Sequence, residues 1–167
     1  MKKFIAILTA MVMAFSLVCV SASASTEIEL SDGVTVVMYD DGEIPPFMLT
    51  KSVSDFNFTI SIPYYPSVAP IRDSKTNDRN ILVESGKSVI VIDFDSHLKY
   101  RAYFSVYDAT AGKYITDQDG NSNHLIGPTS MAQTFSINGL TSGHEYQINL
   151  STTSSTGEKA SGSVYTY

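Results

Sequence analysis

Three observations in this sequence predict an all-β protein built as a sandwich of two antiparallel sheets. Beyond the first 24 residues no apolar pattern repeats at helical spacing over a useful length. Val, Ile, Thr, Tyr and Phe recur instead in short alternating runs, separated by clusters of Gly, Asp, Asn and Ser. The stretch 139–150 sets a register: Leu140 is followed by a turn at Gly143 and then by Tyr146, Ile148 and Leu150, which alternate with Gln147 and Asn149. Such alternation marks a half-buried strand.

The chain opens with Lys2 and Lys3, an apolar run over 4–20 and the small residues Ser21, Ala22, Ser23 and Ala24. This is the pattern of a cleaved signal peptide over 1–24, with Ala22 and Ala24 before the cleavage point. A lipid anchor on Cys19 is disfavoured by Val18, where a small residue would be wanted. Removing 24 residues from 167 leaves 143, enough for one domain with a real core. Cys19 is the only cysteine, so the exported chain depends on its apolar core rather than on disulfides. Loss of Lys2 and Lys3 lowers Lys plus Arg from 11 to 9 against 17 acidic residues, a net charge of −8. That balance argues against nucleic acid and anionic polymers as non-specific partners. An extracellular protein, a glycan or a cation suits it better, and no stable membrane anchor is expected after cleavage.

The elements follow in order. Residues 28–30 and 34–39 flank Asp32-Gly33, a hairpin signal, so 25–51 is expected to form an extra N-terminal strand pair. Phe56, Phe58, Ile60 and Ile62 predict the first strand of a main sandwich over 52–167. Residues 63–80 form a long connection that either crosses between sheet edges or presents Tyr64 and Tyr65 as a binding loop. Residues 81–83 suit an edge strand, and 88–94 run apolar on both faces, as in a central strand. Over 98–108, Tyr100, Ala102, Phe104 and Val106 form one face, and Lys99, Arg101, Tyr103, Ser105 and Tyr107 the other. Residues 113–116 form a short strand and 117–130 a polar loop. Residues 134–138 place Phe135 and Ile137 inward, and 161–167 form the last strand.

The spacing of Leu140, Gly143 and Tyr146 resembles the tyrosine corner that opens the sixth strand of fibronectin type III and related immunoglobulin-like sandwiches. In that corner the tyrosine hydroxyl bonds back to the backbone upstream. The resemblance covers 52–167 and departs at two places. There is no tryptophan on the second strand, where Phe94 is the nearest substitute, and the connection before that strand is long. It implies an immunoglobulin-like β-sandwich with an added N-terminal strand pair, and a spacer, adhesion or binding role, because such domains rarely catalyse by themselves.

Side-chain chemistry points the same way. His97 and His144 belong at opposite ends of the sandwich, and only His124 could join His97, with no third zinc ligand at suitable spacing. No serine has a nucleophile-elbow context. A non-catalytic protein is therefore expected. Calcium is the one cofactor the sequence suggests: Asp117, Asp119 and Asn121 alternate oxygen ligands, and Asp93 and Asp95 would lie at the same end. The glycine is misplaced for an EF-hand and Pro128 stands at the bidentate position; Asp, Gly and Asn are also ordinary turn formers. The third, sixth and seventh strands of the sandwich would share a sheet. Its outer face would hold Arg101, Tyr103, Tyr107, Gln147, Asn149, Tyr165 and Tyr167. Tyr and Arg are enriched at protein interfaces, and aromatic rings beside amides suit sugars. Binding or adhesion through this face is the expected function, with a carbohydrate-binding module, or a structural module with a calcium-stabilised loop, as the alternatives.

Overall fold

The computed structural model describes residues 26–40, 45, 48, 54–126 and 132–167. The signal-peptide segment with Ala22 and Ala24, and most of 41–53, lie outside the described residues. Among the described residues twelve strands are formed: β1 (Thr26–Glu29), β2 (Thr35–Asp40), β3 (Phe56–Ile62), β4 (Ala69–Pro70), β5 (Ile81–Leu82), β6 (Ile90–Phe94), β7 (Ala102–Asp108), β8 (Lys113–Ile115), β9 (His124–Ile126), β10 (Ala132–Asn138), β11 (Glu145–Thr152) and β12 (Glu158–Thr166). They make two antiparallel sheets of six strands. The first runs β1-β2-β10-β6-β12-β3; the second has β11 and β7 at its centre, with β4 and β5 on one flank and β8 and β9 on the other.

Alternation decides which side chains turn inward. In β3 the buried residues are Phe58, Ile60 and Ile62, and in β7 they include Ala102, Phe104 and Val106, as the sequence pattern requires. Val36, Ile92, Phe135, Ile137 and Val164 from the first sheet meet Val106, Ile115, Ile148 and Leu150 from the second in one apolar cluster. Phenylalanine rings link the layers: Phe58 to Phe94 at 5.6 Å between centroids, Phe94 to Phe135 at 6.0 Å, and Phe135 to Phe104 across the sheets at 5.9 Å. Full burial of one such side chain contributes about 1.5–3 kcal/mol, so this chain of rings is a principal source of cohesion. Phe94 occupies the middle of it.

The corner forms as its sequence signature implies. Tyr146 is 1% exposed. Its hydroxyl accepts the Thr141 N–H at 2.9 Å and donates to the Thr141 carbonyl at 3.5 Å, while Gly143 turns the chain at φ +85°. Burial is the main influence on the phenol, and it raises the Tyr146 pKa above its ordinary value. The hairpin at Asp32-Gly33 also forms, and β2 adds it to the first sheet against β10.

The structure corrects the expected sheet membership of the last strand. β12 does not lie beside β11; it pairs with β3 and β6 in the first sheet. Two physical causes operate. The free flank of β11 is already taken, because Ala69–Pro70 pairs with Leu150 and Asn149, and Ile81–Leu82 with Tyr146 and Glu145. The slot between β3 and β6 also demands a residue without a side chain at Gly162, where an added Cβ would stand 2.2 Å from the Asp93 carbonyl and 2.8 Å from the Phe58 ring. Other expectations shift too. Tyr100 precedes β7 and is 46% exposed rather than inward, and the polar stretch after β8 contains a further strand, β9.

Substitution of Gly162 by Ala should destabilise the fold by about 1–3 kcal/mol or more through overpacking. Tyr146→Phe should cost about 1–3 kcal/mol, because it leaves the Thr141 N–H without its acceptor. Tyr103→Ala should change stability much less than either. Urea unfolding of the three variants checks the ranking; a Tyr103→Ala cost above that of Tyr146→Phe would mean the two faces of the β7–β11 sheet are inverted.

Candidate functional site

The outer face of the second sheet is set by the register of β7 on β11. Gln147 stands opposite Tyr107, Asn149 opposite Ser105 and Ser151 opposite Tyr103. On the next strand out, Tyr114 of β8 pairs with Tyr107, and Leu125 of β9 with Tyr103. These side chains alternate with the buried residues of the same strands and therefore share one face.

Tyrosines form two pairs on it. Tyr107 meets Tyr114 at 5.0 Å between centroids, edge to face, and Tyr103 meets Tyr65 at 5.1 Å, tilted by 43°. Four residues along β7 separate the pairs, about 13–14 Å at strand rise. Tyr65 comes from the long connection after β3, and its N–H is tied to the Thr152 carbonyl at 3.0 Å. Tyr65 and Tyr114 are 43% and 47% exposed. Beside Tyr107, Asn80 accepts from the Gln147 amide at 2.8 Å and donates to Glu145 at 2.6 Å. Between the pairs, Ser105 and Asn149 are buried; Ser151, also buried, has a hydroxyl without a hydrogen-bond partner.

The loop 116–123 belongs to this face, which the sequence did not reveal. Ile115 pairs with Val106 and His124 with Phe104, so eight residues stand where a continuous edge strand would place one opposite Ser105. β8 and β9 are the two parts of an interrupted edge strand, and the loop between them rises beside Tyr103. Asp117, Asn121, Ser122 and Asn123 join Tyr65 and Tyr103 around a cleft of about 490 Å³. A second cleft of about 590 Å³ runs along Thr59, Ser61, Val68 and Arg72 beside β3, and its lining contains no aromatic residue.

The loop is locked by its own polar groups. The Asp117 carboxylate accepts the Asp119 N–H at 2.9 Å, the Asn121 N–H at 2.8 Å and the Asn121 side-chain amide at 3.0 Å, and Gly120 takes φ +81° to close the turn. The bond from the Asn121 amide is the largest of the effects that hold the Asp117 carboxyl below its usual range. Its oxygens are thus committed to amides. Asp95 and Asp93 do not converge on it, because they take Ser161 and Thr134 as partners on the outer face of the other sheet. Among the described residues no three His, Cys, Asp or Glu side chains gather closely enough to hold a metal ion.

The seven residues grouped by the sequence reading are therefore divided. Tyr103, Tyr107, Gln147 and Asn149 share one face, and Arg101 lies exposed just before β7. Tyr165 and Tyr167 stack on each other at 6.4 Å on the opposite sheet. Sequence periodicity correctly assigns the latter two to an outer face but cannot name the sheet. Tyr65 belongs to the connection that the sequence offered as a candidate binding loop, and Ser122 and Asn123 to the polar run it offered for calcium; Tyr114 it did not single out, and only the register brings these residues to the Tyr103 face.

The histidines separate as well. His144 bonds Asp108 at 2.8 Å at the far end of β7 from the turn that holds His97. His124 turns inward against Phe104 at 5.4 Å between ring centroids, and its Nε2 is buried without a partner. Burial lowers the His124 pKa from its ordinary value. Burial would raise the Asp108 carboxyl, but the Ala111 N–H and the His144 ring more than offset that and hold it low.

Both shifts make the fold more stable at neutral pH than in acid. A folded state that keeps His124 neutral loses ground to the unfolded chain as pH falls through the unfolded histidine value of about 6.5. The Asp108 contribution is complete above its unfolded value near 3.8 and disappears as pH falls through its lower folded value. The thermal midpoint should fall in two stages on acidification. His124→Leu should flatten the first stage, between about pH 7.5 and 5.5; an unaltered slope would remove His124 as its source. No protein-family model, curated protein or solved structure matches the chain.

Proposed function

We propose that the protein is a secreted, non-catalytic binding module of immunoglobulin-like design that engages an extracellular partner through the outer face of the β7–β11 sheet. The observation that carries this reading is the pairing of half-exposed tyrosines on that face, Tyr65 with Tyr103 and Tyr107 with Tyr114, around buried Ser105 and Asn149. Exposed aromatic surface with polar groups at hand is characteristic of contact sites. Strand packing alone would account for the cross-strand Tyr107–Tyr114 pair. It does not account for Tyr65, which reaches Tyr103 from a connection outside the named strands. The immunoglobulin-like assignment is supported by the tyrosine corner and by the β6–β10 and β7–β11 pairings; the β12 position is its departure. The placement of His144 on Asp108, at the opposite end of β7 from His97, and the inward burial of His124 support a non-catalytic role.

Retention of purified protein on intact bacterial and host cells and on insoluble polysaccharides tests the reading. The wild type should be retained, and Tyr103→Ala/Tyr114→Ala should weaken retention by about tenfold or more, as loss of aromatic anchors does at contact sites. Tyr165→Ala/Tyr167→Ala, on the other sheet, should leave it unchanged. Equal retention of the first double variant, or loss in the second, would overturn the assignment.

A further inference from the structure

We infer that the partner is an uncharged glycan, and that its primary subsite is the cleft between the Tyr65–Tyr103 pair and the 116–123 loop. This rests on the binding-face reading above and specifies its ligand. The two walls of the cleft differ in the way a sugar ring requires. One wall is aromatic and the other supplies amide and hydroxyl groups. A pyranose has an apolar C–H face and a rim of hydroxyls, each of which both donates and accepts; an aromatic face and a row of amides match the two parts.

The polar wall is both available and rigid. Among the described residues the side chains of Ser122 and Asn123 have no hydrogen-bond partner, and Asn121 spends its amide N–H groups on Asp117 while its side-chain oxygen has no partner there. The bonds to Asp117 hold the turn in shape before any ligand arrives, so binding does not have to pay for ordering it. A flexible loop with the same residues would lose much of its affinity in that step.

Charge and shape choose among ligand classes. Among the described residues the one ionised group lining the cleft is the Asp117 carboxylate, and the chain is acidic overall, which disfavours an anionic polymer. A folded protein surface prefers a flatter patch with an apolar centre, whereas the site is concave and its rim is polar. At about 490 Å³ it falls within the range of small-ligand sites and has room for a short oligosaccharide. The tilt of Tyr65 on Tyr103 breaks the flat platform that a crystalline polysaccharide surface would need, which favours a single soluble chain.

Affinity electrophoresis of the purified protein through soluble β-glucan, xylan, mannan and galactan, with polygalacturonate as the anionic probe, tests the inference. At least one neutral polymer should retard the protein and polygalacturonate should not. Tyr65→Ala and Asn123→Ala should each weaken that retardation by about tenfold or more, with an unchanged thermal midpoint, and Tyr165→Ala should not. Retardation that survives both cleft substitutions, or that occurs with the anionic polymer, would overturn the inference. Absence of any glycan binding, together with cell retention that depends on Tyr103 and Tyr114, would also overturn it while leaving the binding face intact. Absence of both would overturn the two readings together.

Discussion

The ladder between β7 and β11 is the constraint on which the rest of the molecule depends. Seven residue pairs, from Tyr146 opposite Asp108 to Thr152 opposite Ala102, fix which side chains enter the core and which stand outside. Because the side-chain period of a strand is two, a slip of β7 by one residue would expose Phe104 and Val106 and bury Tyr103 and Tyr107. The corner at Tyr146 and Thr141 pins one end of this ladder, and Asp108, bonded to His144 and to the turn at Ala111, pins the same end from the other strand.

The flanks of that ladder explain where the candidate site comes from. Neither neighbour is a continuous strand. β4 and β5 pair with β11 in two pieces, and β8 and β9 pair with β7 in two pieces, with an excursion of chain between the pieces on each side. Interrupted edges suit a protein that must avoid edge-to-edge aggregation. Here one of them also lifts the Asp117–Asn123 turn beside Tyr103. The central strands supply aromatic rings at fixed spacing, and the excursion supplies polar groups at fixed height. A rigid scaffold bearing loop-borne contacts is a common way to build a binding surface.

The first sheet plays the opposite part. Its outer face ties polar residues to one another in short cross-strand bonds, such as Ser163 to Asn57 and Thr134 to Asp93. Its inner face carries most of the large aliphatic burial, and Gly162 lets β12 close the gap between β3 and β6 under the Phe58 ring. Most of the large aliphatic burial thus lies on one sheet and the candidate site on the other.

Local pattern alone determined a large part of this protein. The alternation of Phe58, Ile60 and Ile62, the Asp32-Gly33 hairpin, the inward Phe135 and Ile137 and the corner at Tyr146 were legible because each depends on neighbours within a few residues. Tyr100 misled, since the alternation runs past the point where β7 begins. What only the tertiary structure decided is lateral adjacency: that β12 joins β3 and β6, that Tyr165 and Tyr167 therefore leave the tyrosine face, and that Tyr65 and the 116–123 loop enter it. The physical reason is that a period of two says which way a side chain faces, whereas the choice of neighbouring strand rests on contacts between residues far apart in the chain, such as Gly162 with Phe58 and Ala69 with Leu150.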